Sequence, residues 1–344
     1  MKRSRIGLLL LIGLIVIATC SSANLMAAAK VLKLAEVHPA DYPTAKGDSK
    51  FAELVEKYTN GRYKIQCYFN SQLGSENDVV EQTKLGVIEF TRVSTAPVVT
   101  VYPEIGVFTM PFIFTSQEHM WKVLNGSIGQ HFLDACEKAN LVGLGYFEPG
   151  SRHFYANKPL NNLASLKGLK IRVQPSPVPV SMVKLLGATP TPIAYGEVYS
   201  ALQTGVVDGA ENNYPSWVSA NHYEVAKYLI QDGHQRQPEI LVASKKFWNS
   251  LSKADQAAVK RAMKEATEYQ IKEWNAFEFE ALERAKAKGC IVKEANIAEF
   301  QAAMAPLYDM PEYKIYKDWI KKIKTTKRGD RYGRLLILIV EQLK

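Results

Sequence analysis

Residues 31–68 decide the fold, and their sequence is VLKLAEVHPADYPTAKGDSKFAELVEKYTNGRYKIQCY. Residues 31–35 alternate apolar and polar side chains as a half-buried strand does, and residues 62–68 alternate in the same way. Between them, residues 51–58 have the spacing of an amphipathic helix. A strand, a helix and a second strand in this order predict a parallel α/β sheet.

The same pattern continues after residue 68. Residues 77–85 predict a second helix with Ser75 as its N-terminal cap, and residues 88–93 predict a third strand. The first part of the chain is therefore expected to run strand, helix, strand, helix, strand.

A second α/β unit begins near Arg152. Residues 169–173 predict a short strand, and residues 178–186 predict a helix that Gly187 ends. Residues 189–193 are expected to be extended, because each proline disfavours the helical conformation for the residue before it. The remaining predicted elements are a helix over residues 196–204 and a turn or strand end over residues 208–212.

One long helix is predicted over residues 253–288, with Ser252 and Asp255 as a start resembling a capping box and Gly289 as its end. At about 1.5 Å per residue it would be roughly 54 Å long, whereas one lobe is roughly 30 Å across. We expect it to lie along two lobes and connect them. A coiled-coil dimerisation helix is the alternative, but its apolar positions keep no clean heptad, so a monomer is expected.

The N-terminal residues 1–29 have the layout of a secretory signal peptide: basic residues, an uncharged apolar run over residues 6–18, and small residues ending at Ala29. A retained membrane anchor would need an apolar run of roughly 20 residues. Lipidation at Cys20 is a third possibility, but Thr19 fits a lipobox poorly. We expect cleavage near Ala29 and a periplasmic protein of about 315 residues, a length that suggests two lobes.

Composition and motifs argue against several classes of protein. The net charge is +9, of which the signal peptide holds three charges, and no arginine-rich run indicates a nucleic-acid partner. The mild excess would attract an anionic ligand. The sequence contains no HExxH, GxSxG or GxxxxGK[ST] motif, and its cysteines are isolated. We therefore expect no enzyme, no cofactor and no metal. The apolar residues 335–340 are predicted to be the buried end of a helix.

Several ordered segments carry a family resemblance. They are GSRHFYANKP (150–159), LKGLKIRV (166–173), GATPTPIAYGEVYSALQTGVVDGAENN (187–213), SQLG (71–74) and YPE (102–104). Together they closely resemble the solute-binding proteins of tripartite ATP-independent periplasmic (TRAP) transporters, the DctP family.

This resemblance covers nearly the whole mature chain and implies the two-lobe periplasmic binding protein-like α/β fold, with a hinge, a cleft between the lobes and a long helix along both. The implied first lobe contains residues 30–149 and about 238–277. The second contains residues 150–237 and about 278–344.

The resemblance also implies a set of ligand-binding residues. Arg172, in the KGLKIRV strand, would pair with the ligand carboxylate, and Arg152 would assist it. Asn212 would contact the ligand, Tyr195 would pack over it, and Ser94 lies near the position that faces the ligand after the third strand. A planar, permanently charged guanidinium suits a carboxylate. On residue type alone, Arg172 in an internal salt bridge and Tyr195 in the core remain alternatives.

The expected ligand is a sugar acid such as a uronate. Residues 148–155 and 210–217 look more like members of the family that bind uronates and related sugar acids. A sugar acid needs one carboxylate clamp and many partners for its hydroxyls. A C4-dicarboxylate or another small monocarboxylate is the alternative; a dicarboxylate would need a second cation, such as Arg92, which strand alternation can turn away. The candidate hydroxyl partners are Asn212, Asn213, Gln174, Glu76, Ser94 and His38, with Trp217 or Tyr195 against the apolar sugar face.

The predicted function is therefore capture of a carboxylate-bearing solute outside the cytoplasmic membrane and its delivery to the membrane permease subunits of a TRAP transporter. The sequence leaves two other classes open. One is an exported enzyme that acts on sugar acids, and the other is a sensory subunit that contacts a receptor.

Overall fold

The computed structural model describes residues 28–326, which form two β-sheets. Residues 1–27, which include most of the predicted signal peptide and Cys20, and residues 335–340, predicted to be a buried helix end, lie outside the described residues. The strands are β1 Lys30–Ala35, β2 Tyr63–Tyr68, β3 Phe90–Ser94, β4 Leu141–Phe147, β5 Arg152–Ala156, β6 Lys170–Val173, β7 Thr189–Pro192, β8 Gly209–Asn212, β9 Tyr228–Gln235, β10 Glu239–Ser244 and β11 Ile291–Glu294.

The helices cover the faces of both sheets. They are α1 Pro43–Tyr58, α2 Glu76–Leu85, α3 Thr95–Val98, α4 Gln117–Leu124, α5 Ser127–Ala135, α6 Pro177–Leu185, α7 Val198–Gln203, α8 Tyr214–Ser219, α9 His222–Val225, α10 Lys245–Trp248, α11 Lys253–Ala287, α12 Ile297–Met304 and α13 Lys317–Thr325. Short 3-10 helices cover Pro103–Thr109, Cys136–Ala139, Leu163–Leu166, Tyr195–Glu197, Ala305–Asp309 and Pro311–Tyr316. No helix within residues 28–326 has the length and apolar character needed to cross a bilayer.

The first sheet has the strand order β2-β1-β3-β10-β4. Strands β1, β2 and β3 are parallel, as the alternation of strands and helices predicts. Strand β10 is antiparallel to β3 and β4, so the complete sheet is mixed. The reason is the chain path. Strands β1 to β3 point toward the second lobe, whereas β10 begins where the chain returns from the second lobe, so it runs in the opposite direction. This register sets Glu239 opposite Ser94.

The second sheet has the strand order β11-β9-β5-β8-β6-β7. Strand β6 runs parallel to β7 and β8, and β5 is antiparallel to β8 and β9. The predicted strand over residues 169–173 and the extended segment over 189–193 are thus β6 and β7. The pairing of β6 with β8 sets Arg172 opposite Ala210, two residues before Asn212.

The long helix α11 fastens the two lobes at their hinge. It ends one residue before the prediction, and the Ser252 hydroxyl accepts a hydrogen bond from the Asp255 amide as its N-terminal cap. It packs on α1 in the first lobe and on α8 in the second. Where the chain first crosses between sheets, the Gln270 side chain accepts from the Glu148 amide (2.8 Å) and donates to the Glu148 carbonyl (3.1 Å).

Two glycines allow α11 to lie close to the hinge segment and to α1. Gly150 has φ +61°, and a Cβ there would lie 2.7 Å from the Trp274 ring on α11. A Cβ at Gly47, on α1, would lie 2.9 Å from Gln270. Helix α1 itself begins at Pro43, eight residues before the predicted start, because proline is well suited to the first turn of a helix.

The C-terminal described segment packs against the first lobe. His119 and the Ile323 carbonyl are 3.0 Å apart, and the Tyr308 hydroxyl donates to the Pro111 carbonyl (2.6 Å). The Trp319 ring lies 4.9 Å from that of Phe132. After α12 the described chain thus contacts the first lobe, because α13 covers apolar side chains of α4 and α5. The lobe boundary at about residue 278 stays a prediction.

Candidate ligand-binding site

A cavity of about 310 Å³ lies between the two sheets. Its lining comes from the ends of strands and from the residues that follow them, the positions where two facing sheets present side chains to a shared cleft. The lining residues are Val37, His38, Tyr42, Glu76, Ser94, Arg152, Arg172, Gln174, Tyr195, Asn212, Asn213, Ser216 and Glu239.

Arg172 is the cation of this cavity that no carboxylate neutralises. It is the third residue of β6, only 2% exposed, and its Nε donates to the Ile193 carbonyl at 2.8 Å. Within residues 28–326 it forms no ion pair. Burial lowers its pKa, but an arginine remains charged at neutral pH. Its remaining guanidinium N–H groups are therefore available to an anion in the cavity.

Arg152 differs from Arg172 because its charge is already paired. Its Nε and Nη2 donate to the two carboxylate oxygens of Glu211 at 2.5 and 2.9 Å. Burial alone would raise the pKa of Glu211, but Arg152 and His234 outweigh burial and lower that pKa to about 2. Arg152 also donates to the Asn212 side-chain oxygen at 3.0 Å. The pair is electrically neutral and holds Asn212 in place.

Asn212 and Asn213 lie side by side at the end of β8 but have different environments. The Asn212 oxygen accepts from Arg152 and from the Asn213 amide, which leaves its NH₂ group without a hydrogen bond to the described residues. Asn213 caps α8 by accepting from the Ser216 amide at 2.7 Å, and its NH₂ group donates to Pro149. Asn212 therefore has a free donor, whereas the Asn213 amide is occupied by structural bonds.

The first lobe contributes a buried cluster of charges around Arg92. This arginine is fully buried, and it donates to Glu36 through Nε (2.7 Å) and to Glu239 through Nη1 (2.5 Å). It lies on the cavity side of β3, beneath Glu239, but it does not line the cavity. Since two carboxylates surround it, Arg92 is not a free second cation.

His38 is a neutral aromatic partner in the cavity. Burial lowers its pKa to about 4, so the imidazole is uncharged at neutral pH. Its ring stacks on Tyr42 (centroids 3.9 Å apart) and lies 4.6 Å from the ring of Tyr195. The Tyr195 hydroxyl is buried and has no hydrogen-bond partner among the described residues.

Two carboxylates, Glu76 and Glu239, make the first-lobe wall acidic. Glu76 accepts the Ser94 amide at 2.8 Å and lies 3.9 Å from Arg92. Burial, and after it the charge of Glu239, raises the pKa of Glu76 above its ordinary value. This wall therefore offers hydrogen-bond acceptors and repels a second anionic group.

Hydrogen bonds join the two lobes across the cavity. Gln174, just after β6, donates to the Ser94 hydroxyl on β3 at 2.7 Å, and its own carbonyl oxygen is buried without a partner. The Tyr42 hydroxyl is 2.8 Å from that of Ser216 in the second lobe. The structure therefore shows a closed cleft.

Comparison with known proteins identifies the family. The family model DctP, described as "Bacterial extracellular solute-binding protein, family 7", matches residues 34–316. The chain belongs to this family. A solute-binding protein of Chromohalobacter salexigens is 38% identical over 279 residues, which are 79% of this chain and 82% of that relative.

Solved structures of TRAP periplasmic solute-binding proteins are similar over nearly the whole described chain. One from Xanthobacter autotrophicus Py2, with bound β-D-galacturonate, is 42% identical, covers 86% of this chain and 100% of that chain, and has a TM-score of 0.83. Another from Pseudomonas putida F1, with bound D-glucuronate, is 37% identical, covers 88% and 99%, and has a TM-score of 0.85. The predicted family and the two-lobe fold with its long helix are confirmed.

In this DctP-family chain, nine of the ten sequence-predicted site residues line one cavity. They are Arg172, Arg152, Asn212, Tyr195, Ser94, Glu76, His38, Gln174 and Asn213. Trp217 is the exception: it is fully buried in the second-lobe core, where its indole donates to the Ala226 carbonyl (2.9 Å). Its place on α8 turns it toward β5 and away from the cavity.

Four residues of the cavity lining are not predicted from the sequence: Tyr42, Ser216, Glu239 and Val37. Glu239 carries the most consequence, because its carboxylate pairs Arg92 and faces the cavity. The topology could have indicated it, because Glu239 is the first residue of β10, the strand that returns from the second lobe, and it lies opposite Ser94. Tyr42 comes from the loop before α1, where no periodic pattern fixes the side-chain direction.

Proposed function

We propose that this protein captures a hexuronate, such as D-glucuronate or D-galacturonate, and delivers it to the membrane permease of a TRAP transporter. The observation that carries the proposal is the unpaired guanidinium of Arg172, buried at the wall of a closed cavity. The bound uronates in the two similar structures support the same class of ligand.

The charges around the cavity favour one carboxylate on the ligand. Arg152 is neutralised by Glu211, and Arg92 is surrounded by Glu36 and Glu239, so only Arg172 is left for an anion. A dicarboxylate would bring its second negative charge close to Glu76 or Glu239, because these carboxylates form the opposite wall. A monoanion with several hydroxyls meets acceptors there instead.

The neutral polar groups suit the hydroxyls of a sugar ring. The unpartnered oxygens of Gln174 and Tyr195 and the free NH₂ of Asn212 supply acceptors and donors. The rings of His38 and Tyr42 present an aromatic edge beside them. A hydrogen bond to a charged group contributes about 1.5–3 kcal/mol, and micromolar affinity needs about 8 kcal/mol, so these contacts and lobe closure must supply the remainder.

The proposal includes three further points. The ligand is bound without a chemical reaction and leaves unchanged. The protein is exported by a signal peptide cleaved near Ala29, and the permease that receives the ligand is a separate membrane protein. The lobes comprise the two sheets with the helices that cover them, and the C-terminal described segment is assigned to the first lobe.

Calorimetry and thermal melting of the mature chain test this proposal. D-Glucuronate or D-galacturonate is expected to bind with one-to-one stoichiometry and to raise the melting temperature, since a ligand of the native state stabilises by mass action. Succinate is the matched control and is expected to bind far more weakly. Tight succinate binding without uronate binding would refute the choice of ligand, and a new product in the NMR spectrum would indicate an enzyme.

A further inference from the structure

The walls of the cavity and the side chains directly behind them contain more carboxylates than guanidinium groups. Among residues 28–326, the carboxylates are Glu36, Glu76, Glu211 and Glu239, and the guanidinium groups are Arg92, Arg152 and Arg172. The buried His38 is uncharged at neutral pH, because burial lowers its pKa to about 4. Behind Glu211, His234 and Asp232 form a further pair of opposite charges, 2.7 Å apart. The ligand-free site therefore has an excess of one negative charge, and a bound uronate adds another.

Glu76 is the carboxylate of this group with the weakest compensation. Arg92 donates to Glu36 at 2.7 Å and to Glu239 at 2.5 Å. Its distance to Glu76 is 3.9 Å, too long for a hydrogen bond. Oε1 of Glu76 accepts the Ser94 amide at 2.8 Å, whereas Oε2 has, among the described residues, only a 3.5 Å contact with the Ser94 hydroxyl. Oε2 is thus the carboxylate oxygen in the cavity that can most readily accept a proton.

The groups that face Glu76 respond unequally to a bound anion. Burial raises the pKa of Glu76, and Glu239 on β10 raises it further. The Ser94 amide on β3, His38 after β1 and Arg172 on β6 lower it. Arg172 is the group among them that the ligand carboxylate would neutralise. Glu76 then loses an opposing charge and has a second negative charge nearby, and both changes raise its pKa.

We propose that the site takes up one proton from solvent together with the uronate, and that the Glu76 carboxylate holds this proton. The inference rests on the proposed function, because the uronate carboxylate at Arg172 drives the uptake. Protonation keeps the excess at one negative charge. It makes Oε2 a hydroxyl donor, while Oε1 continues to accept the Ser94 amide. A sugar hydroxyl at this wall therefore meets a donor as well as acceptors, and the proton leaves when the ligand leaves.

This uptake makes affinity depend on pH in one direction. Glu76 has a higher pKa in the complex than in the free protein, so the complex holds more protons at any pH between these two values. Affinity is therefore expected to be constant below both pKa values, to fall by up to about ten-fold per pH unit between them, and to be constant again above both. A ligand carboxyl with an ordinary pKa of about 3–4 stays ionised above pH 5.

Titration calorimetry of the mature chain with D-glucuronate tests the proposal. Binding is measured from pH 5 to pH 8, and at each pH in buffers with different enthalpies of ionisation, such as PIPES, MOPS and imidazole. The slope of observed enthalpy against buffer ionisation enthalpy gives the number of protons taken up. We expect a maximum that approaches one proton per ligand, at the pH where affinity changes most steeply.

Two variants assign the proton to a residue. E76Q cannot titrate, so it is expected to bind without proton uptake and with the same affinity across this pH range. E81Q is the matched control, because Glu81 lies on the same helix but outside the cavity, where it pairs with Lys84 at 3.1 Å. It is expected to take up as many protons as the wild type.

Wild-type binding without proton uptake at any pH would overturn the proposal and leave the proposed function standing. Uptake that persists in E76Q would also overturn it, since the proton would then be held by another group, such as His38. The absence of uronate binding at every pH would refute the proposed function and this proposal with it.

Discussion

The two lobes each place an arginine at the third residue of an inner strand, and the two arginines have different partners. Arg92 on β3 is surrounded by the carboxylates of Glu36 and Glu239, whereas Arg172 on β6 donates, among the described residues, only to the Ile193 carbonyl. Both are almost completely buried. The difference between a structural and a ligand-binding cation therefore lies in the neighbours and not in the residue, its strand position or its burial.

Under the proposed function, this contrast makes the second lobe the one that supplies the anion clamp. A buried cation without a partner is unfavourable in the ligand-free protein. An anionic ligand removes that penalty when it binds, so part of the affinity comes from relieving the unpaired charge of Arg172. Arg92 cannot contribute to affinity in this way, because its charge is already paired with Glu36 and Glu239 in the protein itself.

The largest expected effect is on folding, at Arg92. Replacement by Met leaves the carboxylates of Glu36 and Glu239 buried without a counter-charge, and the free energy of unfolding is expected to fall by about 3–5 kcal/mol. Urea denaturation of the ligand-free protein measures it. The matched variant Arg172→Met is expected to leave that stability unchanged or higher, and equal losses in the two variants would break the comparison.

The next effect is on binding, at Arg172. Replacement by Ala is expected to weaken uronate binding by about 2–5 kcal/mol, because the ligand carboxylate then enters the cavity without its counter-charge. Titration calorimetry measures the loss.

Arg172→Lys sharpens this result, since it keeps the charge but loses the planar, two-pronged donor geometry. Its affinity is expected to lie between those of the wild type and the Ala variant. An Ala variant that binds as well as wild type would mean that the clamp is elsewhere.

Asp48, on α1, extends the comparison to a buried acid without a partner. Both of its carboxylate oxygens lack hydrogen bonds among the described residues, and burial raises its pKa well above the ordinary value. The folded state therefore holds a proton that the unfolded state releases above about pH 4, so this group's contribution to stability falls as pH rises. Each pH unit between the two pKa values costs about 1.4 kcal/mol.

Asp48→Asn removes this titration. Its melting temperature is expected to match that of the wild type near pH 4 and to exceed it at pH 8, in scans at fixed ionic strength. Parallel curves for the two proteins across this range would show that Asp48 does not titrate as proposed.

The smallest effect is expected at the bond between the lobes. Gln174→Ala removes the donor to Ser94 and the unpartnered oxygen in the cavity. Uronate affinity is expected to fall by about 1 kcal/mol, the usual contribution of a neutral hydrogen bond. Ser94→Ala removes the same bond to Gln174, and the 3.5 Å contact of the Ser94 hydroxyl with Glu76, but it keeps the Gln174 oxygen. An equal loss in both variants would therefore count against a ligand contact by Gln174.

Much of the fold follows from the sequence because its strands and helices are periodic. The capping Ser75 and Ser252 begin helices where predicted, since each side chain accepts the amide three residues later. The direction of β10 did not follow, because it depends on the chain crossing the hinge a second time. The contact of α13 with the first lobe did not follow either, since local periodicity does not show which surface a helix covers.

Most of the candidate site follows from the family resemblance, because residue type and spacing alone do not show which side chains share a cavity. Arg152 and Arg172 are equivalent in sequence terms, and only the position of Glu211 distinguishes their charge states. Trp217 is an aromatic residue near a ligand-binding turn, but one turn of α8 places it in the core.

The two hydrogen bonds between the Gln270 side chain and the main chain of Glu148 restrict how the lobes can move. Helix α11 is continuous and is hydrogen-bonded to the main chain at the hinge. We therefore expect the lobes to separate little on the side of α11 and more on the opposite side, and the solute to enter and leave from that opposite side. The permease is then expected to contact this open side of the protein.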